Sequence, residues 1–345
     1  MKHIVVRGEL KSAHRQEAAL VLGSGGVVLL PCGGNYLIVS IQEKKLQPFG
    51  YSGSQRLVWD RRELETFWGA PSLALVKLAD AFMPGSLTVV VNTALGRAGL
   101  MMPDPSFLAG IGNQLGEPLY FFEVLDCDSS QDLQTGYADR VDLWLDTGGD
   151  CLLPSTLVDV TRDQPVVERR GTIPVLDIER VLGTKVKLGP AVAFSLLFVC
   201  TGNTCRSAMA RGILEQRLRS QRVVIYSAGT NTVLGLPVSE GARLTVEALG
   251  IDLSRHFSTP LNASQIRDAD LILGMEPKHK RRVIELLPEA ASRTFLLAEF
   301  SAKPGLGEIH DPMGSSLEVF HEVAKIIAES LENVAQDIEW RLAPP

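Results

Sequence analysis

The sequence predicts an α/β protein of two domains. Three observations carry that prediction. The chain has 345 residues, of which 45% are apolar, ample for two hydrophobic cores. Short apolar runs alternate with helical patterns in both halves: GVVLLP, YLIVSI and SLTVVVN early, SLLFVC, VVIYS, DLILGM and TFLLAEF late. A stretch holding Gly183, Gly189 and Pro190 (GTKVKLGPAVAF) interrupts the pattern near the middle. The division expected is 1–188 and 189–345.

Charge and cysteine usage narrow the class. The net charge of −6 gives no global pull toward nucleic acid or anionic membrane. The opening MKHIVVRGELKSAHR lacks the apolar core of a secretory signal. The longest apolar run, 191–200, is shorter than the ~20 residues of a spanning helix. The five cysteines (Cys32, Cys127, Cys151, Cys200 and Cys205) are odd in number and form no CxxC pair. This argues against a disulfide framework or a zinc site and for a reducing compartment. The expectation is a soluble cytoplasmic protein with no membrane contact, no metal and no cofactor.

The second half parses most readily. SLLFVC reads as a buried strand ending at Cys200. SAMARGILEQRLRSQ reads as a helix with Met209, Ile213 and Leu218 on one face. A last helix over roughly 316–340 places Phe320, Ala324, Ile327, Leu331, Val334 and Ile338 in one apolar stripe.

The segment between that first strand and helix is "CTGNTCRS". A loop that turns from a strand into a helix gathers backbone N–H groups, and the helix start adds partial positive charge. Gly202 and Asn203 tolerate the dihedrals such a nest needs. Arg206 offers a planar fork for two phosphate oxygens. Cys200 sits at the base, where positive surroundings favour the nucleophilic thiolate, and Ser207 can donate to it. The Cys-x5-Arg spacing alone is weak, since an ordinary strand cysteine and a helix-start arginine satisfy it by chance. Asp311 in "HDPMG" can serve as the acid for a leaving group and then as base toward water, although Asp-Pro turns are common in loops. His256, His279 and His310 are weaker acid/base candidates. His279, in KHKRR, reads as part of a solvated face or docking patch, and His310 as a loop residue beside Asp311.

Four motifs in order, "VCTGNTCRS", "YSAGT" at 226–230, "DLILGMEPKHK" at 270–280 and "DPMG", resemble the low-molecular-weight protein tyrosine phosphatase family over about 195–340. The resemblance implies a four-stranded parallel sheet with helices on both faces. It implies Cys200 as nucleophile, Arg206 as phosphate clamp and Asp311 as general acid. It further implies the backbone of Thr201, Gly202, Asn203, Thr204, Cys205 and Arg206 as the oxyanion cradle, and loop support from Asn203 and Ser207. Cys205 matches a loop cysteine able to pair reversibly with Cys200 on oxidation. The partner implied is a phosphorylated protein.

Two positions bear on the substrate. Family members acting on phosphotyrosine usually carry an aliphatic residue where this chain has Thr204. A threonine there resembles the protein-arginine phosphatase branch, because a hydroxyl can meet a guanidinium and an aliphatic group cannot. Met313 departs from the aromatic residue seen after the Asp-Pro in both branches, which weakens ring stacking. The expectation favours phosphoarginine over phosphotyrosine.

Residues 10–185 resemble a YrdC-like threonylcarbamoyl-AMP synthase domain through "LADAFMPGSLTVVV", "MPDPSFLAGIGNQLGEPL", "RVDLWLDTGG", "PSTLVDVT" and "VERRGTI". That implies a twisted mixed α/β sheet with a basic nucleotide-binding face. The active-site motifs are lost: "LPCGGNYLIVS" replaces the Pro-Thr-Glu-Thr-x-Tyr-Gly stretch, "YFFEVLD" replaces the Thr-Ser-x-Asn segment, and the Lys/Arg-Pro clamp has no clear counterpart. Ser155 and Thr156 alone remain of the nucleotide-contacting set. The expectation is a degenerate, non-catalytic module. The alternative is a nucleotide- or RNA-binding protein related to threonylcarbamoyl-AMP synthase, with the phosphatase as a regulator.

Overall fold

A computed structural model describes the chain except for residues 1, 7–8, 51–53, 60, 67–71, 95, 104–106, 126–128, 149–152 and 345. Cys127 and Cys151 lie outside the described residues. The chain divides into two compact units, 1–173 with 181–186 and 174–180 with 187–345.

The first unit is built on a mixed sheet. Its strands run in the order Lys2–Val5, Leu143–Asp146, Val28–Cys32, Asn35–Ser40, Tyr120–Glu123, Ser54–Leu57, Gly96–Met101, Leu87–Thr93, Thr156–Asp159 and Val166–Arg169. Parallel and antiparallel pairings are mixed along it. The runs GVVLLP and YLIVSI become the two arms of a hairpin, with Cys32 opposite Asn35. Gly33 and Gly34 turn it at φ 59° and 85°, the left-handed backbone that a two-residue hairpin loop demands. Strand alternation then sorts the core. Val28, Leu30, Leu37 and Val39 pack on one face with Leu143 and Leu145, while Leu29, Ile38 and Trp144 pack on the other.

The second unit carries four strands, labelled here β1 (Phe194–Cys200), β2 (Val223–Gly229), β3 (Leu271–Gly274) and β4 (Thr294–Leu296). They order as β2-β1-β3-β4, and every pairing is parallel. All seven residues of β1 are buried, as a central parallel strand covered on both faces requires. The connecting helices are α1 (Arg206–Leu218), α2 (Glu240–Glu247), α3 (Ala263–Arg267), α4 (Pro277–Leu286) and α5 (Leu317–Leu342). In α1, Ala208, Met209, Ala210, Ile213 and Leu214 are buried; Leu218 is only half-buried. The expected stripe of α5, from Phe320 to Ile338, is buried throughout.

TFLLAEF departs from a single strand. Only Thr294–Leu296 is extended, and Leu297–Phe300 winds into a 3-10 turn. Glu299 Oε1 accepts from Leu296 N at 2.8 Å, so a side chain caps the backbone donor that a longer strand would have paired.

The parallel arrangement brings the C-terminal ends of β1, β2 and β3 together, at Cys200, Gly229 and Gly274. Open α/β sheets present ligands at that edge. At the opposite end Asp270, fully buried, accepts from Val175 N (3.0 Å), Ser195 N (2.9 Å) and Ser195 Oγ (3.1 Å). Replacing it orphans two buried backbone donors, each costing about 1–3 kcal/mol. Asp270→Ala should therefore weaken protection of the 194–200 amides in hydrogen exchange by at least ~10-fold, about 1.4 kcal/mol. Asp270→Asn, which keeps one acceptor oxygen, should lose less.

Candidate active site

The loop after β1 folds around the Cys200 sulfur. Asn203 N donates to Sγ at 3.2 Å, and Ser207 Oγ lies 3.0 Å from it. Ser207 Oγ also accepts from Asn203 Nδ2 at 2.9 Å, which leaves the hydroxyl proton free to point at sulfur. Two donors thus converge on a buried thiol at a strand's end.

Asn203 holds this geometry. Its φ is 54°, the left-handed region that Asn enters more readily than most side chains. Gly202, also expected to bend the nest, has no positive φ. Every polar group of the Asn203 side chain is used: Nδ2 also donates to Ser227 Oγ (2.9 Å), and Oδ1 accepts from Thr259 N (2.8 Å). Its carbonyl accepts from His256 Nε2 at 2.7 Å. A carbonyl only accepts, so His256 carries its proton on Nε2, and burial pushes its pKa down. His256 is therefore a brace for the loop. Gly229 at the end of β2 lets the loop approach: a Cβ there would stand 2.8 Å from Thr201 O and 3.1 Å from Asn203 N.

Arg206 is buried at the start of α1, 1% exposed. Nη1 donates to Glu276 Oε1 (2.5 Å) and to Ile309 O (2.9 Å), and Nη2 to Asp311 Oδ2 (2.5 Å). Nε has no hydrogen-bond partner among the described residues. A buried cation so placed needs its carboxylates, and the orphan Nε–H is a donor that an oxyanion in the loop would satisfy. Burial pushes Glu276 up, but Arg206 and Lys278 outweigh it and hold the carboxyl below its ordinary value. Asp311 is exposed; its Oδ1 accepts from Met313 N at 3.2 Å.

Sequence reasoning missed Glu276 and misplaced His279. Glu276 lies two residues past the end of β3, at the sheet edge where parallel strands end. His279 belongs to neither a solvated face nor a docking patch, because it is completely buried. Its Nδ1 accepts from Glu276 N (3.0 Å), closing the first turn of α4, and its Nε2 donates to Thr201 Oγ1 (3.0 Å). The signal was the spacing E-P-K-H, in which a side chain three positions on reaches back to cap a helix start. The exposed side chain of His310 stays outside this network.

Other expected residues take varied places. Thr204 is half-buried; its carbonyl accepts from Ser239 N (2.8 Å) and its Oγ1 lies 3.7 Å from Cys205 Sγ. Cys205 turns its sulfur to Ser239 Oγ (2.9 Å), and burial pushes its thiol pKa up. Cys200 and Cys205 are both free thiols.

In the first unit, Ser155 and Thr156 spend their polar groups internally. Ser155 N and Oγ both donate to the buried carboxylate of Glu123, which Arg169 neutralises. Thr156 Oγ1 exchanges hydrogen bonds with Ile173 O (3.1 Å) and Ile173 N (3.0 Å). The expected nucleotide or RNA contact thus has its remaining ligands occupied, Ser155 by a carboxylate and Thr156 by the Ile173 backbone, which an incoming phosphate would have to displace. Among the described residues no helix is long and apolar enough to cross a membrane.

Comparison with known proteins places residues 195–342 with the family described as low molecular weight phosphotyrosine protein phosphatase. A protein-arginine-phosphatase of Geobacillus stearothermophilus is 34% identical over 146 residues, covering 42% of this chain and 97% of that protein. The low molecular weight protein-tyrosine-phosphatase Ptp of Acinetobacter johnsonii is 35% identical over 133 residues, covering 39% and 89%. A solved structure, the YwlE arginine phosphatase from Geobacillus stearothermophilus, is 33% identical and covers 43% of this chain and 94% of its own, with a TM-score of 0.40.

His279 generates a pH prediction. Burial first, then the Arg206 charge, push its imidazole down to about 4, against about 6.5 in an unfolded chain. Between those values the unfolded state binds a proton that the folded state refuses. Its contribution is therefore intact above pH 6.5 and declines as pH falls toward 4. The free energy of unfolding should drop across that window, and His279→Gln should flatten part of the drop. An identical slope in the variant would assign the titration elsewhere.

Proposed function

Since the chain belongs, over residues 195–342, to the low molecular weight phosphotyrosine protein phosphatase family, and is a cysteine-based phosphoprotein phosphatase, we propose that Cys200, Arg206 and Asp311 carry its chemistry and that phosphoarginine is preferred over phosphotyrosine. The observation that carries this reading is the convergence of Asn203 N–H and Ser207 O–H on Cys200 Sγ, one loop away from the unpartnered Nε–H of Arg206.

In the proposed reaction Cys200 attacks phosphorus as a thiolate. The S–P bond forms while the P–N or P–O bond to the substrate side chain breaks. Loop N–H groups and Arg206 hold the three remaining phosphoryl oxygens as negative charge builds. Phosphate oxygens take over part of the Arg206 fork from Asp311, and the freed carboxyl, once protonated, gives its proton to the leaving nitrogen or oxygen. Water then attacks the phosphocysteine. Asp311 accepts its proton, the S–P bond breaks, and the thiolate and inorganic phosphate are released. Glu276 stays with Arg206 throughout, so the guanidinium keeps its orientation. The residues at work need neither metal nor cofactor.

The preference rests on Thr204. Its hydroxyl lies in the loop, 3.7 Å from the sulfur of the neighbouring Cys205, and can accept from a guanidinium N–H, which an aliphatic side chain cannot. The relatives include both arginine and tyrosine phosphatases at similar identity. Residues 1–188 are read as a degenerate YrdC-like accessory module, with 189–345 as the phosphatase domain.

The test is kcat/KM on phosphoarginine and phosphotyrosine peptides of one sequence, with Cys200→Ser as the blank. The expected result is a phosphoarginine preference that Thr204→Ile erodes by about 10- to 100-fold, or roughly 1.4–2.7 kcal/mol. A phosphotyrosine preference would sink the Thr204 assignment and keep the mechanism. Peroxide should also inactivate the enzyme, and added thiol should restore turnover, because a thiolate nucleophile oxidises reversibly and has Cys205 nearby. Turnover indifferent to peroxide would count against a Cys200 thiolate.

A further inference from the structure

The first unit holds a cavity of about 220 Å³ that the proposed chemistry does not use. Two kinds of side chain line it. Leu37, Pro84, Met101 and Leu153 are apolar; Asn35, Glu123 and Ser155 are polar and buried. Glu123 accepts from Ser155 N, Ser155 Oγ and Arg169 Nη2. Ser155 Oγ also lies 2.7 Å from Thr88 Oγ1 and accepts from Arg169 Nη2 at 3.0 Å. Asn35, only 4% exposed, donates from Nδ2 to Val124 O at 3.1 Å. Its Oδ1 has no hydrogen-bond partner among the described residues.

A buried amide oxygen without a donor is costly, and in a cavity wall the missing donor can come from a bound molecule. The charge of that molecule is constrained. Arg169 neutralises Glu123, so the cavity offers an anion no unpaired cation and a cation no unpaired carboxylate. What remains is one acceptor beside an aliphatic wall. Size sets a second limit. The volume lies below the roughly 300–1,000 Å³ of sites for drug-sized ligands and equals the space of about seven waters at ~30 Å³ each. Water would satisfy the oxygen but would wet Leu37, Met101 and Leu153, which an aliphatic group would cover instead. We propose that this cavity is a binding site for a small uncharged molecule with an amide N–H at one end and a short aliphatic body at the other, a primary carboxamide being the simplest of the class. The N–H donates to Asn35 Oδ1, and the body packs on Leu37, Met101 and Leu153. Such a ligand carries neither the phosphate nor the charge of the nucleotide expected from the sequence.

The test is a methyl-detected NMR titration of the full chain with butyramide, butyrate, butylamine and AMP as probes. Butyramide should shift the methyl signals of Leu37, Met101 and Leu153 saturably, with a dissociation constant in the millimolar range for so few heavy atoms. Butyrate and butylamine, of the same length but charged, should bind about 3- to 10-fold more weakly or not at all, the worth of one hydrogen bond. Asn35→Leu removes the acceptor and should weaken butyramide by a similar factor. Cys32→Phe, which fills the cavity from its wall, should abolish the shifts while the remaining methyl spectrum reports an intact fold. This second variant keeps the test decisive if Asn35→Leu fails to fold. No saturable shift at these three methyls would overturn the proposal, as would butyramide binding that survives Cys32→Phe. Equal binding of butyrate or butylamine would overturn the assignment of an uncharged ligand. AMP binding at the same methyls, tighter than butyramide, would overturn it in favour of a nucleotide. None of these outcomes depends on phosphatase turnover.

Discussion

The loop around Cys200 depends on one residue held in a left-handed conformation. Asn203 at φ 54° reverses the chain so that its own N–H points back at the sulfur. A non-glycine residue pays for that conformation, and here the offset is a set of bonds from all three polar groups beyond its N–H. Nδ2 reaches Ser207 and Ser227, Oδ1 reaches Thr259, and the carbonyl reaches His256. These partners come from α1, from β2 and from the 256–259 segment. The loop is thus shaped by tertiary contacts on several sides, and its stiffness is what lets backbone donors face a phosphoryl group without rearranging.

Electrostatics add a second constraint. A guanidinium that is 1% exposed sits between Glu276 and Asp311. The two carboxylates differ in setting. Glu276 is largely buried and also paired with Lys278, whereas Asp311 lies in an exposed loop. The arrangement therefore separates a fixed counter-ion from a movable one. A buried charge that lost both partners would be costly, so in the proposed reaction Glu276 would keep Arg206 paired while Asp311 turns to the leaving group. The neutral, buried His279 fixes the start of α4, and with it the backbone of Glu276, while anchoring Thr201 on the loop.

One cluster of the first unit closes on itself. Glu123, Arg169, Ser155 and Thr88 satisfy one another in its interior. A network closed in this way supports packing and leaves few donors for an anionic ligand. In the second unit the Nε–H of Arg206 remains open in the same kind of buried setting.

Much of this was legible in residue order. Strand β1, the loop, helix α1 and the stripe of α5 follow from local periodicity, and the spacing Cys200 to Arg206 follows from the loop's length. Asp311 was legible because Asp-Pro fixes a turn before a long helix. The end of β4 was not, since Glu299 caps Leu296 through a side-chain bond that hydropathy does not register. Nor was the choice of Asn203 over Gly202 as the left-handed residue, which depends on acceptors and donors 24 to 56 positions away. His256, Glu276 and His279 acquire their roles only when parallel strands bring three chain segments to one sheet edge. The sequence by itself determined which groups are chemically competent: a thiol, a guanidinium, carboxylates and N–H-rich turns. Tertiary structure decided which of them meet, because a hydrogen bond acts over about 3 Å while its partners here lie up to 105 residues apart along the chain.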